Sequence, residues 1–94
     1  MSVSFAQRVV IAPDVLARVI NDEAVLLHLK TEQYVGLDPV GTRMWTVLQE
    51  SPTIEAALAA LAGEYEVSDD ELRRDLKSFV GELLEQSLIE VLPV

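Results

Sequence analysis

The stretch Gln33–Trp45, which reads Q-Y-V-G-L-D-P-V-G-T-R-M-W, predicts an abrupt change from strand to helix. Its first part is rich in strand-forming residues, namely Tyr34, Val35 and Leu37. Asp38 is a good N-cap because its carboxylate can accept a hydrogen bond from an unpaired amide of the first helical turn. Pro39 suits the first helical position, where no amide donor is needed. We therefore expect a small sheet before this junction and helices after it.

Three short segments before the helices are predicted to form an antiparallel meander. They cover Val15–Ile20, Ala24–Lys30 and Gln33–Leu37. Asn21-Asp22-Glu23 makes a turn between the first two, because Asn and Asp tolerate left-handed backbone. Residues 1–13 form an N-terminal arm, whose apolar side chains either pack on the body or extend the sheet. These side chains are Phe5, Val9, Val10 and Ile11.

Three helices and a closing strand are predicted after the junction. The helices cover Pro39–Glu50, Ile54 to about Glu64 and Asp69 to about Gln86, and the strand covers Leu88–Val91. Ser51-Pro52 ends the first helix, since the residue before a proline disfavours helical backbone, and Ser68 with Glu71 reads as a capping box. The sequence predicts one α+β domain over residues 1–94. A three-stranded antiparallel sheet, a three-helix bundle and a short C-terminal strand follow the winged helix-turn-helix plan.

The charge balance disfavours two classes of partner. With 16 acidic and 7 basic residues among 94, the formal net charge is −9. This charge repels nucleic acid phosphates and anionic membranes, and it suits a peptide or protein that carries positive charge, although solubility alone also explains it. The chain has no cysteine, no signal-peptide pattern and no apolar stretch long enough to span a bilayer, so we expect a cytoplasmic protein.

Catalytic signatures are missing from the sequence. His28 is the only histidine, and it lies in a predicted strand, where a structural role is the more frequent one. There is no Gly-x-Ser-x-Gly elbow and no glycine-rich phosphate loop. The acids Asp69, Asp70 and Glu71 fit the start of a helix better than a metal site. We expect a protein that is not an enzyme and uses no metal or cofactor.

Two kinds of binding remain open from the residues. A winged-helix plan suggests DNA binding, but the basic side chains of the third helix, Arg73, Arg74 and Lys77, are outnumbered there by acids. An extended peptide can instead add to an open strand edge, and Gly36 would allow its backbone to approach closely. Val80 and Leu84 extend the apolar sector of the third helix, either as the floor of a peptide groove or as packing for the N-terminal arm.

The order and spacing of several motifs add a family resemblance. The runs Y-V-G-L-D-P-V-G-T-R-M-W-T-V-L, T-I-E-A-A-L-A-A-L and Y-E-V-S-D-D-E-L-R-R-D-L-K-S-F-V-G-E-L-L-E-Q-S-L-I-E-V together resemble the PqqD-like family, over roughly residues 29–91. Members of this family are leader-peptide recognition domains, or RiPP recognition elements, of pathways that modify ribosomally made peptides. The resemblance implies the winged-helix fold and non-catalytic binding of a precursor's leader peptide. Asp38 stands where the family often has asparagine, a change that keeps the helix cap.

The resemblance also implies where the leader binds. In such domains the leader adds as a strand against the third strand, in a cleft that the third helix walls. The corresponding strand residues are Glu32, Gln33, Tyr34, Val35 and Gly36, and the helix residues are Asp69, Leu72, Arg73, Leu76, Lys77 and Val80. Some of these must be core residues, first of all Leu72 and either Tyr34 or Val35. We expect Val35→Pro to abolish binding by removing a ladder donor, and charge reversal at Arg73 and Lys77 to change leader affinity or its salt dependence.

Two pathways use a free-standing domain of this size. One is the peptide chaperone of pyrroloquinoline-quinone biosynthesis, and the other is the discrete recognition protein of lasso-peptide pathways, which the junction sequence resembles more. The lasso version implies delivery of the precursor to a separate, transglutaminase-like leader peptidase, ahead of a cyclase. The alternatives are the quinone-pathway chaperone, a winged-helix nucleic-acid-binding protein, and a structural subunit that dimerises through the same edge.

Overall fold

The structure, a computed structural model, describes residues 3–93. Residues 1 and 2 of the predicted arm, and residue 94 of the predicted domain, lie outside the described residues. The elements in chain order are β1 (Arg8–Ile11), β2 (Val15–Ile20), β3 (Glu23–His28), β4 (Tyr34–Gly36), α1 (Pro39–Glu50), α2 (Ile54–Ala62), α3 (Asp69–Glu85) and β5 (Ile89–Leu92). The predicted α+β class, with its antiparallel three-stranded sheet, three helices and closing strand, is confirmed.

The N-terminal arm contains a strand that the sequence did not specify. β1 pairs antiparallel with β5, with Val9 opposite Val91, and the two form a separate sheet rather than an extension of the meander. Val9 is buried, which anchors this pair to the core. Farther toward the N-terminus, the carbonyls of Phe5 and Gln7 each accept a hydrogen bond of 2.8 Å from an amide at the start of α2. The arm therefore caps α2, whose first amides have no partner within the helix.

The meander has the strand order β2-β3-β4. Asn21 and Asp22, with φ of 53° and 64°, form the turn between β2 and β3, as two-residue hairpin turns require. β3 ends at His28, two residues before the predicted end, although the amide of Leu29 still bonds the carbonyl of Asp14, the residue opposite it just before β2. β4 is likewise shorter than predicted. It covers Tyr34–Gly36, and the predicted end residues Gln33 and Leu37 flank it.

Local signals set the helix starts. Asp38 Oδ1 accepts a hydrogen bond of 2.7 Å from the amide of Gly41, and Ser68 Oγ accepts one of 3.2 Å from the amide of Glu71. The reciprocal bond of a complete capping box, from the Glu71 carboxylate to the Ser68 amide, is not formed within residues 3–93. α1 has its predicted bounds, whereas α2 and α3 end within about two residues of theirs.

The core joins both sheets to the three helices. Its largest fully buried side chains are Leu26, Leu48, Ile54, Leu61, Leu76, Leu88, Val9 and Val80. Thr42 of α1 is buried among apolar residues, and its Oγ1 accepts a hydrogen bond from the amide of Ala24 and donates one to the carbonyl of Leu37. These two bonds fix the end of β4 relative to both β3 and α1. Within residues 3–93, no helix is long and apolar enough to cross a membrane.

Candidate functional site

The free edge of β4 faces outward from the three-stranded sheet. β4 is the last strand in the order β2-β3-β4, with Val35 opposite Leu26. Hydrogen bonds from His28 N to Gln33 O and from Leu37 N to Ala24 O flank this pair at steps of two residues. Hydrogen-bonded pairs alternate along an antiparallel ladder, so Val35 directs its amide and carbonyl toward β3. Tyr34 and Gly36 therefore direct theirs toward the open side.

The outward backbone groups of β4 are available to a partner. Within residues 3–93, the amides and carbonyls of Tyr34 and Gly36 have no hydrogen-bond partner on that side. Both residues are exposed, with 74% of the Tyr34 surface accessible. An open edge of this kind is a template for an extended chain that supplies matching donors and acceptors.

β4 presents different side chains on its two faces. Val35 lies on the same face as the buried Leu26 and is half-buried against the core. Tyr34 lies on the outer face, where it continues a cross-strand row with Leu16 and Leu27. A strand that added to β4 would therefore alternate its own side chains between the core side of the sheet and this outer face.

A groove adjoins the end of β4 where α1 meets α3. The Phe79 ring lies close to the start of α1, since a Cβ added at Gly41 would be 3.6 Å from Phe79 Cε1 and 3.5 Å from Leu37 Cβ. The groove combines apolar side chains with three carboxylates. Its lining residues are Asp38, Val40, Gly41, Met44, Asp75, Ser78, Phe79 and Glu82.

The sequence interpretation missed the α3 side of this groove. Asp75, Ser78, Phe79 and Glu82 recur at helical spacing, directly beside the buried stripe of α3. That spacing marks them as one face, but it does not say which element the face meets. Only the position of α3 against the start of α1 identifies them.

The predicted strand residues lie together at the β4 edge. Glu32 precedes the strand in a left-handed conformation, with φ of 60°, and its amide bonds the carbonyl of His28. Gln33 is exposed and its carbonyl accepts from His28. Tyr34, Val35 and Gly36 form the strand itself. The Val35 amide faces β3, so Val35→Pro would remove a donor of the internal β3–β4 ladder, whereas the outward amides are those of Tyr34 and Gly36.

The predicted helix residues do not form one surface. Leu72, Leu76 and Val80 are at most 2% exposed and belong to the core, so their side chains are not open to a peptide in this structure. These three residues recur at core spacing on α3 and pack within the hydrophobic core, so a ligand cannot contact them. Asp69 and Arg73 line a different depression, which they share with Glu55, Leu58, Ala59 and Ala62 of α2. Lys77 is exposed on α3.

Arg73 is held by residues of this chain. Its guanidinium donates two hydrogen bonds to the Glu55 carboxylate, at 3.0 and 2.9 Å, and lies 4.9 Å from the centre of the Phe5 ring. The hydrogen-bonded guanidinium lowers the pKa of Glu55, and the carboxylate raises the pKa of Arg73. Arg73 thus secures the N-terminal arm against α2 and α3. Leu84 is half-buried and borders a depression with Val3 of the arm.

The remaining candidates for chemistry have structural roles. His28 Nδ1 accepts from the amides of Lys30 and Thr31, at 3.2 and 3.5 Å, in the turn that follows β3. Asp69, Asp70 and Glu71 occupy the first turn of α3, where the helix dipole favours acids. Across residues 3–93, no three His, Cys, Asp or Glu side chains are grouped so that they could hold a metal ion.

Comparisons with known proteins give one family and two similar structures. The sequence profile of the family described as Coenzyme PQQ synthesis protein D (PqqD) matches residues 23–89. The solved structure of TbiB1 in complex with the TbiA(beta) leader peptide is 41% identical, with a TM-score of 0.81 over 85% of this chain and 93% of that one. A lasso peptide synthetase B1 complexed with the leader peptide is 20% identical, also with a TM-score of 0.81, over 88% of this chain and 98% of that one, and it supports the fold. None of the curated proteins compared matches this chain significantly.

Proposed function

This chain belongs to the PqqD family, and we propose that it is a leader-peptide recognition domain that binds the leader of a ribosomally made precursor by strand addition at β4. The observation that carries the proposal is the open edge at Tyr34 and Gly36, whose outward amides and carbonyls match the pattern that an extended peptide needs. TbiB1, which shares the fold and 41% of its residues with this chain, is described in complex with a leader peptide.

The proposed contacts retain the strand residues and revise the helix residues. The leader's backbone pairs with the segment Glu32–Gly36, above all with Tyr34 and Gly36. Its core-side side chains enter the cleft next to Val35, and we propose that Phe79 with its neighbours forms the wall of that cleft. These neighbours are Asp75, Ser78 and Glu82. Leu72, Leu76 and Val80 support the wall from within the core. We keep Asp69, Arg73 and Lys77 as a second candidate surface, which charge reversal tests.

The proposed role is delivery rather than catalysis, in the cytoplasm where ribosomal precursors are made. The domain holds the leader and presents the precursor to a separate, transglutaminase-like leader peptidase, ahead of a cyclase, in lasso-peptide biosynthesis. The likeness to the lasso peptide synthetase B1 fold and the 41% identity to TbiB1 support this choice of pathway. The alternative is a peptide chaperone for quinone-cofactor biosynthesis, and the description of the matching family, Coenzyme PQQ synthesis protein D, is the observation that supports it.

Nucleic-acid binding is the weaker alternative for this fold. The exposed face of α3 carries Arg73, Arg74 and Lys77, but Arg73 is already paired with Glu55. The chain as a whole has a formal net charge of −9, which opposes the phosphate contacts on which such binding rests.

Fluorescence anisotropy tests the proposed function. Labelled TbiA(beta) leader peptide is titrated with the protein, and a labelled DNA duplex is titrated in parallel. We expect saturable peptide binding and no DNA binding at physiological salt.

A second experiment tests strand addition with a series of peptides, each carrying one backbone N-methyl group at a different residue. Alternate residues of an added strand direct their amides at β4. Affinity should fall at every second position of the paired segment and hold at the positions between.

Two results would contradict the proposal. If circular dichroism shows a folded protein that does not bind the leader peptide, recognition of this class of leader is ruled out. Binding that tolerates N-methylation at all positions would keep leader recognition and remove strand addition.

A further inference from the structure

A shallow depression adjoins the open edge on the outer face of the sheet, at Gly36. Its lining residues are Ile20, Asn21, Glu23, Ala24, Val25, Gly36, Leu37 and Asp38. A Cβ added at Gly36 would meet nothing within 4 Å. Because glycine has no side chain, the surface between Val25 and the open edge of β4 is uncovered.

The register determines which residue of an added strand reaches this depression. Val25 lies opposite Gly36 in the β3–β4 ladder, and Arg18 lies opposite Val25 in the β2–β3 ladder. Residues paired across neighbouring strands place their side chains on the same face of the sheet. The leader residue paired with Gly36 therefore has its side chain on the outer face, whether the leader runs parallel or antiparallel to β4. That side chain can lie across Gly36 onto Val25.

The chemistry of the depression favours one class of side chain. Val25 and Ile20 provide an apolar floor, with 37% and 56% of their surfaces exposed. Glu23 and Asp38 supply carboxylates at the margin, whereas Arg18, on the side of Val25 away from Gly36, is not among the lining residues. Asp38 already accepts the Gly41 amide, which leaves the exposed Glu23 as the freer carboxylate. A long aliphatic stem that ends in a cation fits both the floor and the margin.

We infer that the Gly36 depression is a specificity subsite, which takes a lysine or arginine side chain from the leader residue paired with Gly36. The inference rests on the proposed function and adds a selective contact to strand addition, whose backbone bonds carry no sequence information. The outer face would then read one leader residue while the core-side cleft reads its neighbours.

A double-mutant design tests the subsite. In the TbiA(beta) leader peptide, each residue is replaced in turn by lysine, by norleucine and by glutamate. The peptides are titrated against the wild-type protein, Glu23→Gln, Gly36→Ala and Gly36→Val. Glu66→Gln is the matched control, because it removes the same charge from an exposed residue of the α2–α3 connection, outside the depression.

At one position of the peptide, the effect of a replacement on affinity should depend on both Glu23 and Gly36. At that position the wild-type protein should bind lysine about two- to fivefold more tightly than glutamate, and Glu23→Gln but not Glu66→Gln should reduce this preference. Gly36→Val should lower the affinity for the lysine and norleucine peptides at the same position several-fold more than Gly36→Ala does.

If the wild-type protein binds the peptides but no position depends on Glu23, the subsite is overturned and the proposed function stands. A wild-type protein that binds none of the peptides would overturn both. If Gly36→Val does not fold, the Glu23→Gln comparison decides alone.

Discussion

The side-chain oxygen of Thr42 accepts a hydrogen bond of 2.7 Å from the backbone amide of Ala24, which joins α1 to the middle strand of the sheet. The same oxygen donates to the carbonyl of Leu37 at 3.3 Å. Both bonds are buried, and Thr42 itself is 6% exposed. Because Leu37 follows β4 directly, this threonine sets the position of the strand whose edge we propose to bind the leader.

Thr42→Val should therefore destabilise the protein. Valine keeps the shape of the side chain but leaves the buried amide of Ala24 without a partner, which costs about 1–3 kcal/mol of unfolding free energy. Thr42→Ser keeps the hydroxyl and is the matched control, with a smaller loss from the missing methyl group. Urea unfolding followed by circular dichroism measures both. Equal stability of the valine and serine variants would show that the Ala24 amide finds another partner.

The elements with local signals could be predicted from the sequence. Asp38-Pro39 and Ser68 mark helix starts through bonds that span three residues, and Asn21-Asp22 marks a hairpin turn through its own backbone preference. The pairing of β1 with β5 could not be predicted in this way, because it joins residues about 80 positions apart and rests on burial of Val9 in the assembled core.

The candidate site was predictable only on its strand side. The edge at Tyr34 and Gly36 follows from a meander whose last strand has no further neighbour. Which amides face outward depends on the register, which the sequence does not determine; in the structure the Val35 amide faces β3 and those of Tyr34 and Gly36 face the open side. On α3, sequence spacing separates faces but does not say which face meets β4, and core positions such as Leu76 are indistinguishable there from a cleft floor.

The two faces of α3 should respond differently to charge reversal. Asp75→Lys combined with Glu82→Lys inverts the charge of the groove beside β4, so leader affinity and its salt dependence should change. Arg73→Glu combined with Lys77→Glu alters the opposite flank, where Arg73 holds Glu55, and should leave leader affinity within about twofold. Peptide titrations at two ionic strengths measure the contrast. The reverse outcome would move the leader cleft to the face that the sequence interpretation selected.

The contact between Glu55 and Arg73 should weaken in acid. The guanidinium lowers the pKa of Glu55 below its ordinary value of 4.5, so the folded state binds this proton less readily than the unfolded state does. The stabilisation is therefore present above the ordinary pKa and is lost as the pH falls through the lowered one. Glu55→Gln should lose stability relative to wild type near neutral pH, and the difference should shrink below about pH 4.

Urea unfolding across this pH range measures the difference, with Glu66→Gln as the control for net charge. Carbon-detected titration of the Glu55 carboxyl by NMR reports the pKa directly. A difference between wild type and Glu55→Gln that stays constant from neutral to acidic pH would contradict the assigned contact.

Proline substitution along β4 separates the outward edge from the internal ladder. Tyr34→Pro removes an amide that faces the open side, whereas Val35→Pro removes the amide that faces Leu26. Tyr34→Ala is the matched control, since it removes the ring and keeps the amide. We expect Tyr34→Pro to bind the TbiA(beta) leader about two- to tenfold more weakly than Tyr34→Ala, which is the value of one backbone hydrogen bond, while the two variants have similar unfolding free energies.

Val35→Pro should instead lower the unfolding free energy itself, by about 1–3 kcal/mol, because a bond within the sheet is lost. Equal leader affinity of folded Tyr34→Pro and Tyr34→Ala proteins would rule out pairing at this amide, and with it the strand addition from which the Gly36 subsite follows.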